Sequence, residues 1–379
     1  MSEKRSIFEE VDAKSDKDAS PEFGLIDRAS DGARVPIRRW LQLLFALVVV
    51  MTAIGGLTRL TDSGLSITEW RPITGMIPPL SAIDWQREFD LYKQIPEFQL
   101  QNQTMTLAEF KFIFWWEWGH RQFGRLIGLV WAGGFAWFAL RRQIPTGWTP
   151  RLFGLGVLGG LQGAIGWWMV SSGLEGTALD VASTRLAVHL GLAFIILAAI
   201  AWSIFHFGRS AADKLKARRA REERLGRIAT IWIVLVFVQV LLGALVAGID
   251  AGRNFTDWPL MAGGFFPPNP FEIDPLWRNF VEDDGLAQFT HRMVGYVLLA
   301  FGIYAWRQAR NSGNFATKFA FNAAFAAMVL QIVLGIITVL YGAPLLLAIL
   351  HQILAVVLWT LLLRARFLTL YPLTQSLRG

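Results

Sequence analysis

Apolar residues gather in eight long runs, roughly 38–57, 118–140, 152–172, 185–206, 228–248, 287–306, 318–341 and 344–363. A helix of about 20 apolar residues spans the hydrocarbon of a bilayer, so each run predicts one crossing. The polar segments between them alternate in charge. Arg34, Arg38 and Arg39 stand at the start of the first run, Arg141, Arg142 and Arg151 follow the second, and the stretch from Arg209 to Arg227 follows the fourth. Arg307, Arg310 and Lys318 follow the sixth, and Arg364 and Arg366 follow the last. Segments 58–117, 173–184 and 249–286 are mixed or acidic. Basic segments stay on the cytoplasmic side, and an even number of crossings then puts both termini there.

Composition narrows the class. Of 379 residues, 54% are hydrophobic and 17% charged, so a lipid-facing protein is expected. The net charge of +7 is spread over the cytoplasmic segments, which argues for a membrane face and against a nucleic-acid partner. No cysteine is present. Disulfides, thiolate ligation, iron–sulfur clusters and covalently attached haem are excluded. Residues 1–36 carry Glu3, Glu9, Glu10, Asp12, Asp16 and Asp18. Targeting peptides are poor in acids, so a disordered cytoplasmic tail is expected, in a bacterial inner membrane rather than a mitochondrial one.

The chain repeats itself. Gly55-Gly-Leu57, Asp62-Ser-Gly64, Thr68-Glu-Trp70 and Pro78-Pro79 return as Gly243-Ala-Leu245, Asp250-Ala-Gly252, Thr256-Asp-Trp258 and Pro267-Pro268. His120-Arg121-x-x-Gly124 returns as His291-Arg292-x-x-Gly295, and Gln162-x-x-x-Gly166 as Gln331-x-x-x-Gly335. The expected fold is all-α: a polytopic membrane protein with eight transmembrane helices, arranged as two pseudo-symmetric four-helix bundles. The expected division is a tail at 1–36, an N-terminal bundle at 37–206, a basic cytoplasmic linker at 207–227, a C-terminal bundle at 228–366 and a cytoplasmic tail at 367–379.

Four of the five histidines, His120, His189, His291 and His351, lie inside apolar runs and form two matching pairs. Ionisable side chains inside a membrane mark function by default. Within each half, the second and fourth helices run the same way and can present two imidazoles at similar depth, near the outer surface. Two axial histidines across a flat ring are what haem iron takes. The plainer reading is four interhelical hydrogen-bonding histidines. Zinc would want more ligands per site. His206, at the inner end of the fourth run, has no counterpart and reads as interfacial.

One feature breaks the symmetry. Glu117 precedes His120 by three residues, whereas Gln288 precedes His291. A carboxylate beside one site and an amide beside the other suggests proton-coupled chemistry in the first half. The plainer reading pairs Glu117 with Arg121 or Lys111. Arg121 and Arg292, directly after the histidines, can clamp a haem propionate or snorkel to the headgroups. Gly55, Gly166, Gly243 and Gly335 suggest close helix approach. Gln162, Gln239 and Gln331 each stand four residues earlier than such a glycine and suggest hydrogen bonds across the bundle.

The run from Gly55 to Ser66, then Glu69-Trp-Arg-Pro72, Gly75 and Pro78-Pro79, then Glu117-x-x-His120-Arg121, resembles the haem A synthase family. So does the second-half stretch Ala247 to Met261, with His291-Arg-x-x-Gly295. The resemblance covers about residues 38–365, and the lack of a cysteine pair in the first outer loop resembles the branch shared by proteobacteria and mitochondria. It implies an oxidoreductase that turns a ring methyl of haem O into a formyl group, making haem A for cytochrome c oxidase. It implies substrate haem on His120 and His189, haem b as cofactor on His291 and His351, and Glu117 as the catalytic carboxylate. It also implies haem O synthase and oxidase assembly factors as partners. Two rivals remain at this point. One is a dihaem b-type cytochrome that only carries electrons, and the other is a transporter built from parallel repeats.

Overall fold

A computed structural model describes residues 33–176 and 178–374. The tail readings for 1–32 and 375–379 lie outside the described residues. The secondary structure is helical, with no strand among the described residues. Eight helices are long: α1 (Arg34–Leu60), α2 (Leu107–Leu140), α3 (Thr149–Val170), α4 (Ser183–Phe207), α5 (Glu223–Gly248), α6 (Asp284–Ala309), α7 (Phe315–Leu340) and α8 (Leu345–Leu370). Seven of them are long and apolar enough to cross a membrane. The other, α6, matches α7 in length but carries Asp284, Gln288, His291 and Arg292 and is less apolar.

Polar caps set the helix starts. The Thr106 side chain accepts from the Glu109 amide while Glu109 reaches back to the Thr106 amide, so α2 begins at Leu107. Such reciprocal boxes satisfy donors that the first turn leaves open. Asp283 caps α6 and Asn314 caps α7 in the same sense. α1 and α5 end alike. Asp62 and Asp250, equivalent in the repeat, take positive φ of 49° and 53° just past the last turn, a conformation that short polar residues tolerate.

Each half closes on itself. α1 packs on α2 and α4, and α3 packs between α2 and α4; α5 packs on α6 and α8, and α7 packs between α6 and α8. The halves meet where α4 touches α5 and α8, and where α8 touches α1. The core follows this seam, with Leu41, Phe194, Leu197, Trp232 and Phe321 almost fully enclosed. Trp359 Nε1 donates to the Phe194 carbonyl at 3.0 Å, tying α8 to α4. The opposite helix faces expose Leu129, Val157, Val234 and Phe319. Apolar side chains outside, with backbone groups bonded inside each helix, suit a lipid environment.

Several boundaries differ from expectation. α2 starts eleven residues early (107 against 118), because the Thr106 box and an aromatic run carry the helix beyond the apolar core. Its 34 residues reach about 50 Å at 1.5 Å per residue, well beyond the hydrocarbon. The extra turns support a cap made from segment 61–106, which holds short helices at Ala82–Tyr92 and Pro96–Leu100. Trp85, Phe89 and Tyr92 pack there on Phe110 and Phe114. The basic linker is partly helical: Ala211–Arg218 forms a short helix and α5 begins at Glu223. α8 runs to Leu370, past the expected boundary at 366, because Phe367 and Leu368 are buried. His206 sits among Trp148, Trp202, Phe367 and Tyr371 rings.

Candidate functional site

The histidines lie toward one end of both bundles, the end that carries segments 61–106 and 249–283. His189 is six residues into α4, His351 six into α8 and His291 seven into α6. His120 lies thirteen residues into α2 because that helix starts early. His189 is within electrostatic range of His120, and His351 within that of His291. The structure therefore brings together the two pairs that the sequence paired.

Every ring is seated against a glycine of a neighbouring helix. A Cβ placed on Gly55 would stand 3.6 Å from His120 Cε1. The same construction on Gly166, Gly243 and Gly335 gives 2.9, 3.1 and 2.9 Å to Cε1 of His189, His291 and His351. These glycines do more than let helices approach: they leave room for an imidazole edge. Three slots also carry a glutamine one turn away. Gln162 Nε2 donates to the His189 carbonyl at 3.0 Å, Gln239 Nε2 to that of His291 at 2.9 Å and Gln331 Nε2 to that of His351 at 3.0 Å. Each amide also lies 3.1–3.3 Å from ring nitrogen. The sequence held this signal in its Gln-x-x-x-Gly spacing, which puts both residues on one helix face.

Glu117 and Gln288 occupy equivalent positions, each 3% exposed, with opposite surroundings. Glu117 Oε2 accepts from Ser66 Oγ at 2.8 Å and from the Ile67 amide at 2.6 Å. Its Oε1 accepts from Arg121 Nε at 3.0 Å and Nη2 at 2.5 Å. Four donors converge on it, the environment of an ionised carboxylate. Gln288 instead donates to the Ala251 and Phe255 carbonyls at 2.8 and 3.1 Å and accepts from Arg292 Nη2 at 2.7 Å. The loops have been turned to suit: donors face the carboxylate, carbonyls face the amide. Ser66 and the Ile67 amide are site residues that sequence reading missed, since no motif marks a backbone donor.

Arg121 and Arg292 are tethers in this structure. Arg121 holds the Ile67 carbonyl at 2.8 Å and that of Glu69 at 3.2 Å. Arg292 holds those of Phe255 at 3.1 Å, Asp257 at 3.0 Å and Leu260 at 2.9 Å. Lys111 lies over the Trp85 ring, so the carboxylate's partner is Arg121. One turn on, Arg125 Nε and Nη2 hold the Pro72 and Arg71 carbonyls at 3.0 Å each, while its Nη1 is buried without an acceptor.

This donor set has a definite chemical reach. A bare metal ion takes three or more protein ligands, and no such group of His, Cys, Asp or Glu occurs among the described residues. A porphyrin brings four nitrogens of its own and asks the protein only for axial ligands. Paired imidazoles in glycine slots fit that demand.

Two helical bundles with one imidazole pair each define the class: a duplicated, all-helical membrane protein. Over residues 38–363 the chain matches the cytochrome oxidase assembly protein family, and it belongs to that family. It is 62% identical over 381 residues to the heme A synthase of Ruegeria pomeroyi, covering 100% of both chains. It is 64% identical over 380 residues to that of Dinoroseobacter shibae, covering 100% of this chain and 99% of the relative. With that of Paracoccus denitrificans it shares 54% over 376 residues, 99% of each.

Proposed function

We propose that the chain is a haem A synthase, an oxidoreductase of haem A biosynthesis that converts a ring methyl of haem O to a formyl group. Full-length identity to heme A synthases supports this reading. The observation that carries the division of labour is that Glu117 stands beside the first histidine pair where Gln288 stands beside the second. His120 and His189 hold the substrate haem, and His291 and His351 hold haem b. Bound haem supplies the redox chemistry, and the protein supplies orientation and proton handling.

Oxidation of a methyl to a formyl group removes electrons in pairs, releases protons and adds one oxygen atom. Glu117 is the buried base of the first site. Its ionised form, held by Ser66, Ile67 and Arg121, can take up a proton or stabilise positive charge on the reacting carbon. Gln288 can do neither, so the second site serves to carry electrons. Arg121 and Arg292 fix the loops over the two pockets, and a propionate would meet them at that end. α6 makes the eighth crossing, and the protein lies in a bacterial inner membrane with both termini cytoplasmic. Haem O synthase and cytochrome c oxidase assembly factors are its partners.

An electron carrier without synthase activity is less well supported. Carriers across a bilayer place their centres toward opposite faces, whereas all four histidines here share one end. The deciding experiment is chromatography of haems extracted from cells that make haem O and express the chain. Haem A in those cells, absent without the chain, supports the synthase. Haem b and haem O alone refute it.

A further inference from the structure

Three of the four slotted histidines are held by a glutamine, and His120 is not. In the second half, Gln239 stands four residues before Gly243, and its Nε2 lies 3.5 Å from a Cβ built on Gly295. In the first half, Met51 stands four residues before Gly55, and its Cε lies 3.5 Å from a Cβ built on Gly124. Met51 and Gln239 thus fill the same place in the repeat. Gln239 donates to the His291 carbonyl and lies against its ring. Met51 has no hydrogen to donate, and no side chain among the described residues is hydrogen-bonded to His120. The two side chains are similar in length, so the slot stays filled while the tether is lost. Methionine is also the more adaptable filler.

The functional demand on the pockets differs in the same sense. A substrate must leave as product at every turnover, while a resident cofactor must stay. Resting on the paired-imidazole reading above, we infer that Met51 is a positioning residue that leaves His120 free to release its porphyrin, and that Gln239 holds His291 on a retained one. Exchange of haem through the first site therefore proceeds on the α2 side, because His189 on the other wall keeps its tether to Gln162.

The test uses the full-length chain in detergent, loaded at both sites with ferric protoporphyrin IX and mixed with excess apomyoglobin. Absorbance follows porphyrin transfer. Wild type should lose it in two phases, with the fast one missing in His120→Ala and the slow one missing in His291→Ala. Met51→Gln should slow the fast phase by about two- to tenfold, the range of one neutral hydrogen bond. Gln239→Met should speed the slow phase by a similar factor. Met51→Leu, apolar and without a donor, should keep the wild-type rate. Unchanged rates in both Met51→Gln and Gln239→Met overturn the assignment, as does a slowed fast phase in Met51→Leu. If Met51→Gln does not fold, Gln239→Met decides alone. A wild type that binds no porphyrin, or phases indifferent to both alanine variants, sinks the paired-imidazole reading itself.

Discussion

Glu117 and Arg121 stand one turn apart on α2 and share a charged hydrogen bond of 2.5 Å, and the same guanidinium grips the loop above. The pair ties the carboxylate and the loop at Ile67 and Glu69 into one unit. Glu117→Gln would set an amide donor against Ser66 or the Ile67 amide. We expect porphyrin binding to persist and haem A formation to fall by at least about a hundredfold, the lower range of general-base contributions. Haem chromatography measures the yield, and an unchanged yield removes Glu117 from the chemistry.

The alanine variants should separate the sites. His291→Ala should lose haem b while the first pocket still binds porphyrin, and His120→Ala should do the reverse. Absorption spectra of the purified variants check this, and equal loss of both signals in either variant would contradict two independent pockets.

The glycine slots should respond in order of space. Gly166→Ala and Gly335→Ala place a methyl 2.9 Å from Cε1 of His189 and His351, so the ring must move and bound porphyrin should be lost. Gly55→Ala meets His120 at 3.6 Å, an ordinary contact, and should be tolerated. Porphyrin content per protein reads the series. A Gly55→Ala loss as large as that of Gly166→Ala would show that helix approach matters more than the ring.

Glu97 gives the cap a pH dependence. It is 3% exposed, with Tyr92 Oη and Asn102 Nδ2 both 3.3 Å from its Oε1. Burial, with Asp180, Asp62 and Glu117 nearby, pushes its pKa up to about 8, while the Tyr92 hydrogen bond opposes the shift. The folded chain then holds a proton that the unfolded chain releases near the ordinary value of 4.5. Its contribution is therefore fully present below that value and is lost as pH rises to about 8. Thermal unfolding in detergent should show the cap weakening over this window. Glu97→Gln should flatten the profile, and an equally steep profile in that variant rules Glu97 out as the cause.

Arg59, at the end of α1, meets Asp250, past the end of α5, at 2.9 Å with 17% and 30% side-chain exposure. The pair joins the two halves but remains partly solvated. Asp250→Asn should cost no more than about 1 kcal/mol and leave haem content intact, as a thermal shift and a spectrum would show.

Much of this arrangement was legible in the chain. Apolar runs gave the helices because a crossing has a fixed length, and the repeated His-Arg and Gln-x-x-x-Gly patterns reappear in the fold as histidine rings seated against glycines and glutamines. The Glu117 and Gln288 difference was visible as letters, but the hydrogen-bond partners of each depend on which loop atoms face it. Ser66 and the Ile67 amide become partners only through the path of segment 61–67. The early start of α2 was hidden because residues 107–117 mix charge with aromatic rings, a pattern set by packing on the cap rather than by lipid. Met51 drew no notice because methionine in an apolar run is ordinary until its counterpart is seen to be a hydrogen-bond donor.

The seam between bundles has its own bearing on how the two halves behave. Gln352, next to His351 on α8, donates to the Thr52 carbonyl on α1 at 2.8 Å, and its side chain rests on Gly56. Thr52 and Gly56 directly follow Met51 and Gly55. Gln352 therefore fastens α8, one residue from His351, to the stretch of α1 whose Gly55 seats His120. The two halves are thus stitched together at the level of their imidazoles.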